Sequence, residues 1–414
     1  MNAYLALIIT AYLLVVLFGY WLDYLNLSHM KKHGAVVPPE FEGHIDQALL
    51  NKTHEYNIEH TKFDFVHSAF NNITFLVFIF VLLNLYNSWI ISLNLPFILT
   101  GLMFFLFLTY AETVISMPFD LYGTFKIENK YGFNTMTFKL WMTDTIKSLL
   151  ISTVLMGLVI SSGLFIIQKS PDLWWFYVWC FFLAFGIFMM YISPYVIEPL
   201  FHKFTPIENE ELESGIRILM QKVGIKVSRV FKMDASKRTK HTNAYFTGIG
   251  KVKRIVLYDT LIEKMDKDEI LSVLAHEAGH WKKKHLLKHL IATEIIALIV
   301  MYLSYQILQS DFLLRVFHVG EDSFFAKVVL LGFVGPIVSF PFSPLSNYFS
   351  RRHEDEADAF SYEMTENNQS MITALVKLSK DNLSNLHPHP LYALFHYSHP
   401  PVLERIRRIR AMSE

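Results

Sequence analysis

One cysteine, Cys180, is all that this 414-residue chain contains. That excludes an intrachain disulfide framework and a multi-cysteine metal site. Charge is scarce as well: Asp, Glu, Lys and Arg make up 18% of residues, against 52% hydrophobic ones. Lys plus Arg and Asp plus Glu balance at 37 each, so no global charge recruits nucleic acid. Internal repeats and low-complexity tracts are also lacking.

Charge is missing from whole stretches long enough to cross a bilayer, which takes roughly 20 residues. Residues 1–22 form the first. With no basic leader and no small-residue cleavage site, this stretch reads as an uncleaved span. Residues 65–111 fit two spans, broken near residues 87–88 or near "LNLP" at 93–96. Further spans are expected at 148–168, 173–197, 290–308 and 328–345, seven in all. Lys31, Lys32, Lys126, Lys130, Lys139 and nearly all other basic residues lie on one set of loops, while the opposite loops offer little beyond Lys169 and Arg315. The positive-inside bias puts the C terminus in the cytoplasm and the N terminus outside. The segments 201–285 and 346–414 are too polar for lipid and fall on the same cytoplasmic face. The expected organisation is five spans with their loops in 1–200, two more in 286–345, and a small α+β domain split between 201–285 and 346–414.

The first half of that domain holds "AHEAGHWKKKH". His276 and His280 are four apart, which on a helix puts both rings on one face. Asp266 with Glu269 reads as a capping box, and Ile270, Leu271, Val273 and Leu274 supply an apolar face. Gly279 lowers helix propensity without forbidding a helix. Two neutral imidazoles suit zinc, and Glu277 stands beside the open coordination position as a base for metal-activated water. A third ligand is needed, and "SRRHEDEADAFSYEM" at 350–364 lies in the segment expected to face the first. Glu354 could ligate there, with His353, Asp355 and Glu356 as competitors. Asp358, one turn on, could hold the outer nitrogen of a ligand histidine. Asn243–Gly248 and Val252–Tyr258 read as a β-hairpin whose free edge could recruit an extended peptide.

HEAGH at 276–280 and RRHEDEAD at 351–358 together resemble the zinc proteases with an HExxH…ExxxD arrangement. "FDLYGTFKIENKYGFNTMT", "NAYFTGIGKVKRIVLYDTLI" and "YSHPPVLERI" narrow the resemblance to the integral-membrane type I CAAX prenyl proteases. Where that family more often has an aromatic before the ligand glutamate, this chain has His353. The resemblance implies seven membrane helices ringing a hydrated chamber that the zinc domain closes on the cytoplasmic side. It implies one zinc held by His276, His280 and Glu354. Glu277 would be general base and acid, and Asp358 would orient a ligand histidine. His399 and Arg405 would bind substrate or stabilise the oxyanion. Asn243, Ala244, Tyr245 and Phe246 would form the edge along which substrate lies.

The expected activity is zinc-dependent cleavage near the C terminus of prenylated CAAX-type peptides. Two alternatives differ from it: a quality-control endopeptidase acting on non-prenylated membrane proteins, and a seven-span transporter or receptor with a structural metal. The expected partners are a peptide or protein substrate, lipidated, and membrane lipids, with the protein itself a monomer. The bacterial inner membrane and the endoplasmic reticulum are both compatible locations. If the helix bearing His280 runs on unbroken to Leu290, ten residues or about 15 Å, the zinc lies near the bilayer surface. The same unbroken helix would carry Glu294 into the sixth span, where a carboxylate must face water or a partner.

Overall fold

The computed structural model describes residues 2–247 and 252–412. Among these residues seven helices are long and apolar enough to cross a membrane: Ala3–His33, Gln47–Ser92, Phe97–Tyr131, Phe138–Lys169, Trp174–Phe201, His285–Leu308 and Phe324–Thr365. The break between the second and third falls at "LNLP", where Asn94 is left-handed with φ 51°. Asn87 stays inside its helix, fully buried, with Nδ2 donating to the Glu321 carbonyl. Most spans outrun the charge-free stretches that predict them. Absence of charge marks only the lipid-embedded part of a helix, and the backbone ladder continues into the polar ends.

The spans bury little against one another. In their most apolar windows the sixth has no buried residue, and the fourth and fifth bury 6% each. Large apolar side chains such as Leu14, Val154, Ile296 and Leu303 are exposed instead, as expected of a wall facing lipid rather than a solid bundle. Close packing concentrates at the end away from the polar domain. There Phe104, Leu330 and Phe333 join Leu313 and Phe317 of a short helix, Phe312–Phe317.

The polar domain is built on a four-stranded sheet of β1 (Phe204–Pro206), β2 (Lys226–Met233), β3 (Ala244–Thr247) and β4 (Val252–Tyr258), in the order β1-β2-β4-β3. The β2–β4 pair is parallel and the other two are antiparallel. The turn of the expected hairpin, Gly248–Lys251, lies outside the described residues. Helices α1 (Glu210–Val223) and α2 (Lys267–Lys282) cover one face. They share a core with Ile216, Met220, Ile255, Leu257 and Leu274. The second half of the domain supplies α3 (Ser343–Thr365), α4 (Asn368–Asp381) and α5 (Val402–Ala411). The early residues Phe41, Ile45 and Leu50 pack with Ile372, Ile406 and Ile409. The domain is therefore assembled from three stretches of chain rather than two.

Both ends of the split meet the membrane through a local break. α2 stops at Lys282, Lys284 is left-handed with φ 58°, and the sixth span starts at His285. The unbroken helix expected from His280 to Glu294 is thus interrupted by this turn. Glu294 itself is half-buried, and its carbonyl accepts from Trp179 Nε1. On the other side the seventh span passes through a 3₁₀ turn at Phe340–Phe342 directly into α3.

Candidate metal centre

α2 begins as its sequence predicts. Asp266 accepts from the Glu269 N–H, and Glu269 accepts from the Asp266 N–H. Lys377 of α4 reaches Glu269 at 2.6 Å and ties the cap to the second half of the domain. α2 then lies against α3 along a seam of small residues. Ala275, Ala278 and Ala357 are fully buried, and Ser361 Oγ donates to the Ser272 carbonyl. Gly279 sets how close the helices come. A Cβ there would sit 3.1 Å from both Ala357 Cα and Phe360 Cβ. The glycine that weakens the helix in isolation is what admits the neighbouring one.

That close approach brings three donors together. The Nε2 atoms of His276 and His280 are 3.2 Å apart. Glu354 Oε2 lies 3.4 Å from His276 Nε2, and Oε1 lies 3.2 Å from His280 Nε2. One donor atom from each residue falls within 4.8 Å of the others, and this is the one such group of three among the described residues. Glu354 is 4% exposed, and its Oε2 is buried without a hydrogen-bond partner. A buried carboxylate oxygen left unpaired is costly. Two imidazole nitrogens and a carboxylate oxygen around one point are a donor set that fits a divalent metal with a position left open.

The surroundings favour positive charge at that point. Asp358, buried, accepts at 2.7 Å from His276 Nδ1. Arg405 grips Asp358 from behind, Nε to Oδ2 at 2.9 Å and Nη2 to Oδ1 at 2.7 Å, and its Nη1 is 3.8 Å from Glu354. Two buried carboxylates against one guanidinium leave a net negative charge. Burial alone would depress the His276 imidazolium, but the hydrogen bond to Asp358 and the neighbouring Glu354 carboxylate outweigh it and lift the ring to about 9. Burial pushes the Glu277 carboxyl up from the usual carboxylate range.

Of the other expected residues, His399 is brought to the centre and Arg405 stands behind it. His399 Nε2 is 3.3 Å from Glu354 Oε1, while 62% of its side chain remains exposed. Its loop is held by Arg351, whose Nη1 donates to the Tyr397 carbonyl. Arg405 is 11% exposed and committed to Asp358, so it supports the site rather than facing the opening. β3 is a terminal strand of the sheet. The Asn243 carbonyl accepts from the Tyr258 N–H, so by alternation Tyr245 and Thr247 also turn their backbone groups to β4. Ala244 and Phe246 then direct theirs outward, and the Asn243 side chain accepts from the Ala244 N–H.

The competitors of Glu354 have other partners. Asp355 pairs with Arg408, Glu356 Oε2 is 3.1 Å from His285 Nε2, and His353 stacks on His285. Sequence reasoning missed His285 altogether. Five residues after His280, it fits no helical spacing that would bring it back to the site.

Comparison with known proteins agrees with this geometry. A family model for the CAAX prenyl protease N-terminal region, five membrane helices, matches residues 26–203, and one for peptidase family M48 matches residues 206–413. CAAX prenyl protease 1 of Saccharomyces cerevisiae is 33% identical over 95% of this chain and 91% of its own. The Arabidopsis thaliana homologue is 34% identical over 96% and 95%. An uncharacterized metalloprotease of Bacillus subtilis is 33% identical over 72% of this chain and 71% of its own. The crystal structure of S. mikatae Ste24p superposes with a TM-score of 0.89 at 30% identity, covering 99% of both chains. The chain belongs to the M48 peptidases, in the branch that carries the CAAX prenyl protease membrane region, and is a multi-pass membrane metalloprotease.

Proposed function

We propose that the protein is a zinc endopeptidase that cleaves prenylated CAAX-type peptides near their C terminus. The observation that carries the reading is the triangle of His276, His280 and Glu354 where the polar domain meets the sixth and seventh spans. A lipidated peptide has its anchor in the bilayer and its scissile bond a few residues away, which suits a centre placed there. The names of the yeast and plant relatives support the same substrate class. The bias of basic residues toward the polar domain supports a cytoplasmic catalytic side. The sparse burial along the spans supports a hydrated chamber between them, and Glu294 is assigned to its wall. A cysteine at 294, with Cys180 removed, should react with a small charged thiol reagent, and no labelling of active protein would count against the chamber there.

His276, His280 and Glu354 hold one zinc per chain. Lewis-acid polarisation of a carbonyl, and water acidic enough to attack near neutral pH, are what zinc supplies when bound. Glu277 accepts the proton of the attacking water and returns it to the leaving amine. Asp358, clamped by Arg405, keeps the His276 hydrogen on Nδ1 so that Nε2 is free to ligate. His399 offers its Nε2 to the developing oxyanion, a contribution of about 3 kcal/mol for one donor. The substrate main chain extends along the outer edge of β3, pairing with the backbone of Phe246. Substrate recognition through main-chain bonds tolerates varied side chains.

The test combines zinc content with cleavage of one peptide in prenylated and unprenylated form. Glu277→Ala should keep stoichiometric zinc and lose turnover, by at least about a hundredfold for a missing general base. Near-native turnover would remove Glu277 from the mechanism. Equal cleavage of both peptides would favour a quality-control endopeptidase. Zinc held without any peptidase activity would favour a structural metal.

A further inference from the structure

Each histidine at the centre has a second ring nitrogen to satisfy. His276 turns its Nδ1 to a carboxylate, Asp358. His280 turns its Nδ1 to a third histidine: Nδ1 of His285 lies 3.0 Å away. His285 is 4% exposed, and its Nε2 lies 3.1 Å from Glu356 Oε2. Its ring stacks on His353, with centroids 4.1 Å apart and planes inclined by 11°.

A continuous helix could not make this contact. Five residues along an α-helix a side chain points about 140° away. The chain leaves the helix instead, through Lys284 at φ 58° and ψ 35°. That left-handed conformation costs a non-glycine residue roughly 1–2 kcal/mol. It turns His285 back beneath His280, and the same residue then opens the sixth span.

The hydrogens on this chain of groups have one self-consistent arrangement. A ligating Nε2 carries none, so His280 carries its hydrogen on Nδ1 and donates to His285 Nδ1. His285 therefore carries its hydrogen on Nε2 and donates to the Glu356 carboxylate. We propose that His285 and Glu356 form a positioning pair for the metal ligand His280, tying the first residue of the sixth span to the metal centre. The pair does for His280 what Asp358 and Arg405 do for His276. The proposal rests on the reading of His276, His280 and Glu354 as the metal ligands.

The experiment measures zinc affinity of the full-length protein in detergent by competition with a chelator. His285→Phe keeps an aromatic ring against His353 but has no acceptor, and should weaken zinc binding by roughly 10–100-fold, the usual cost of losing such a partner. His285→Asn restores an acceptor oxygen where Nδ1 stood, and should recover most of that loss. Wild-type affinity in His285→Phe, or equal losses in the Phe and Asn variants, would overturn the proposal. If His285→Phe does not fold, Glu356→Ala decides. Its side chain is 35% exposed and lies outside the apolar cores. It should weaken zinc binding in the same direction by a smaller factor, and unchanged affinity there would overturn the pair. Wild-type protein that binds no zinc would sink the ligand reading itself, and this inference with it.

Discussion

Two of the apolar cores among the described residues are equally tight in different solvents. Leu274, Ile255 and Ile216 in the polar domain are fully buried, and so are Leu330, Leu83 and Phe104 at the far end of the spans. The first set leaves water when it folds, and the hydrophobic effect drives it. The second set exchanges lipid tails for protein side chains of the same polarity, so packing alone holds it. The metal centre is attached to the water-driven core: His276 and His280 sit on the helix that carries Leu274, Ala275 and Ala278. The chemistry thus draws its rigidity from the domain, and the spans supply enclosure and access.

The largest expected effect removes the centre and spares both cores. Glu354→Ala deletes one of the three proposed ligands and should cost zinc affinity and peptidase activity by orders of magnitude. The seam of α2 and α3 is made by Gly279, Ala357 and Ser361 rather than by this carboxylate, so the fold should persist. Zinc content and circular dichroism would check both halves. Full zinc occupancy in Glu354→Ala would hand the third position to another group.

A matched pair of substitutions tests the comparison directly. Leu274→Ala should destabilise by about 2–5 kcal/mol, because a transfer loss and a cavity add. Leu330→Ala leaves a similar cavity, but lipid is as apolar as the core, so the transfer loss largely vanishes and roughly half that cost is expected. Thermal melting of the two variants in one detergent reads the difference. Equal losses would mean that the far core is also driven from water.

Sequence revealed the elements whose signals are local. The capping box at Asp266 and Glu269 and the edge strand at Ala244–Thr247 are each written in a few adjacent residues, and the break at Asn94 is one of the two positions the sequence offered. Nothing local links Glu354 to His280, so their pairing was legible only through the shared face of the two polar segments and through resemblance. The junctions were not legible. Lys284 offers no turn signal, being neither Gly nor Asn, yet it is left-handed. The role of Phe41 and Ile45 in the domain core was hidden for a related reason: they lie far from Ile372 and Ile406 along the chain.

Gly279→Ala probes the seam between those parts with a smaller change. Alanine gains about 1 kcal/mol of helix propensity. Against that, its Cβ would press on Ala357 Cα at 3.1 Å and on Phe360. A backbone atom cannot swing aside as a side chain can, and overpacking of this kind costs about 1–3 kcal/mol. The net should be a modest destabilisation of roughly 1 kcal/mol. A few tenths of an ångström between the helices would also move Glu354 away from the histidines, so zinc affinity should fall further than stability does. A more stable variant with native affinity would mean that the seam has slack.

The smallest expected effect lies at the joint between the two cores. Lys284 holds a left-handed turn at a cost of roughly 1–2 kcal/mol that glycine would not incur. Glycine also frees the unfolded chain, which takes back about 0.5–1 kcal/mol. Lys284→Gly should therefore be neutral to slightly stabilising, by about 0–1.5 kcal/mol. Zinc affinity should not change, because the turn and the His280–His285 contact persist. Lys284→Pro is the opposing control. Proline fixes φ near −65° and cannot adopt the turn, so it should separate His285 from His280 and weaken zinc binding as His285→Phe does. A glycine variant that loses zinc affinity would show that the lysine side chain, rather than the turn it sits in, holds the sixth span to the metal centre.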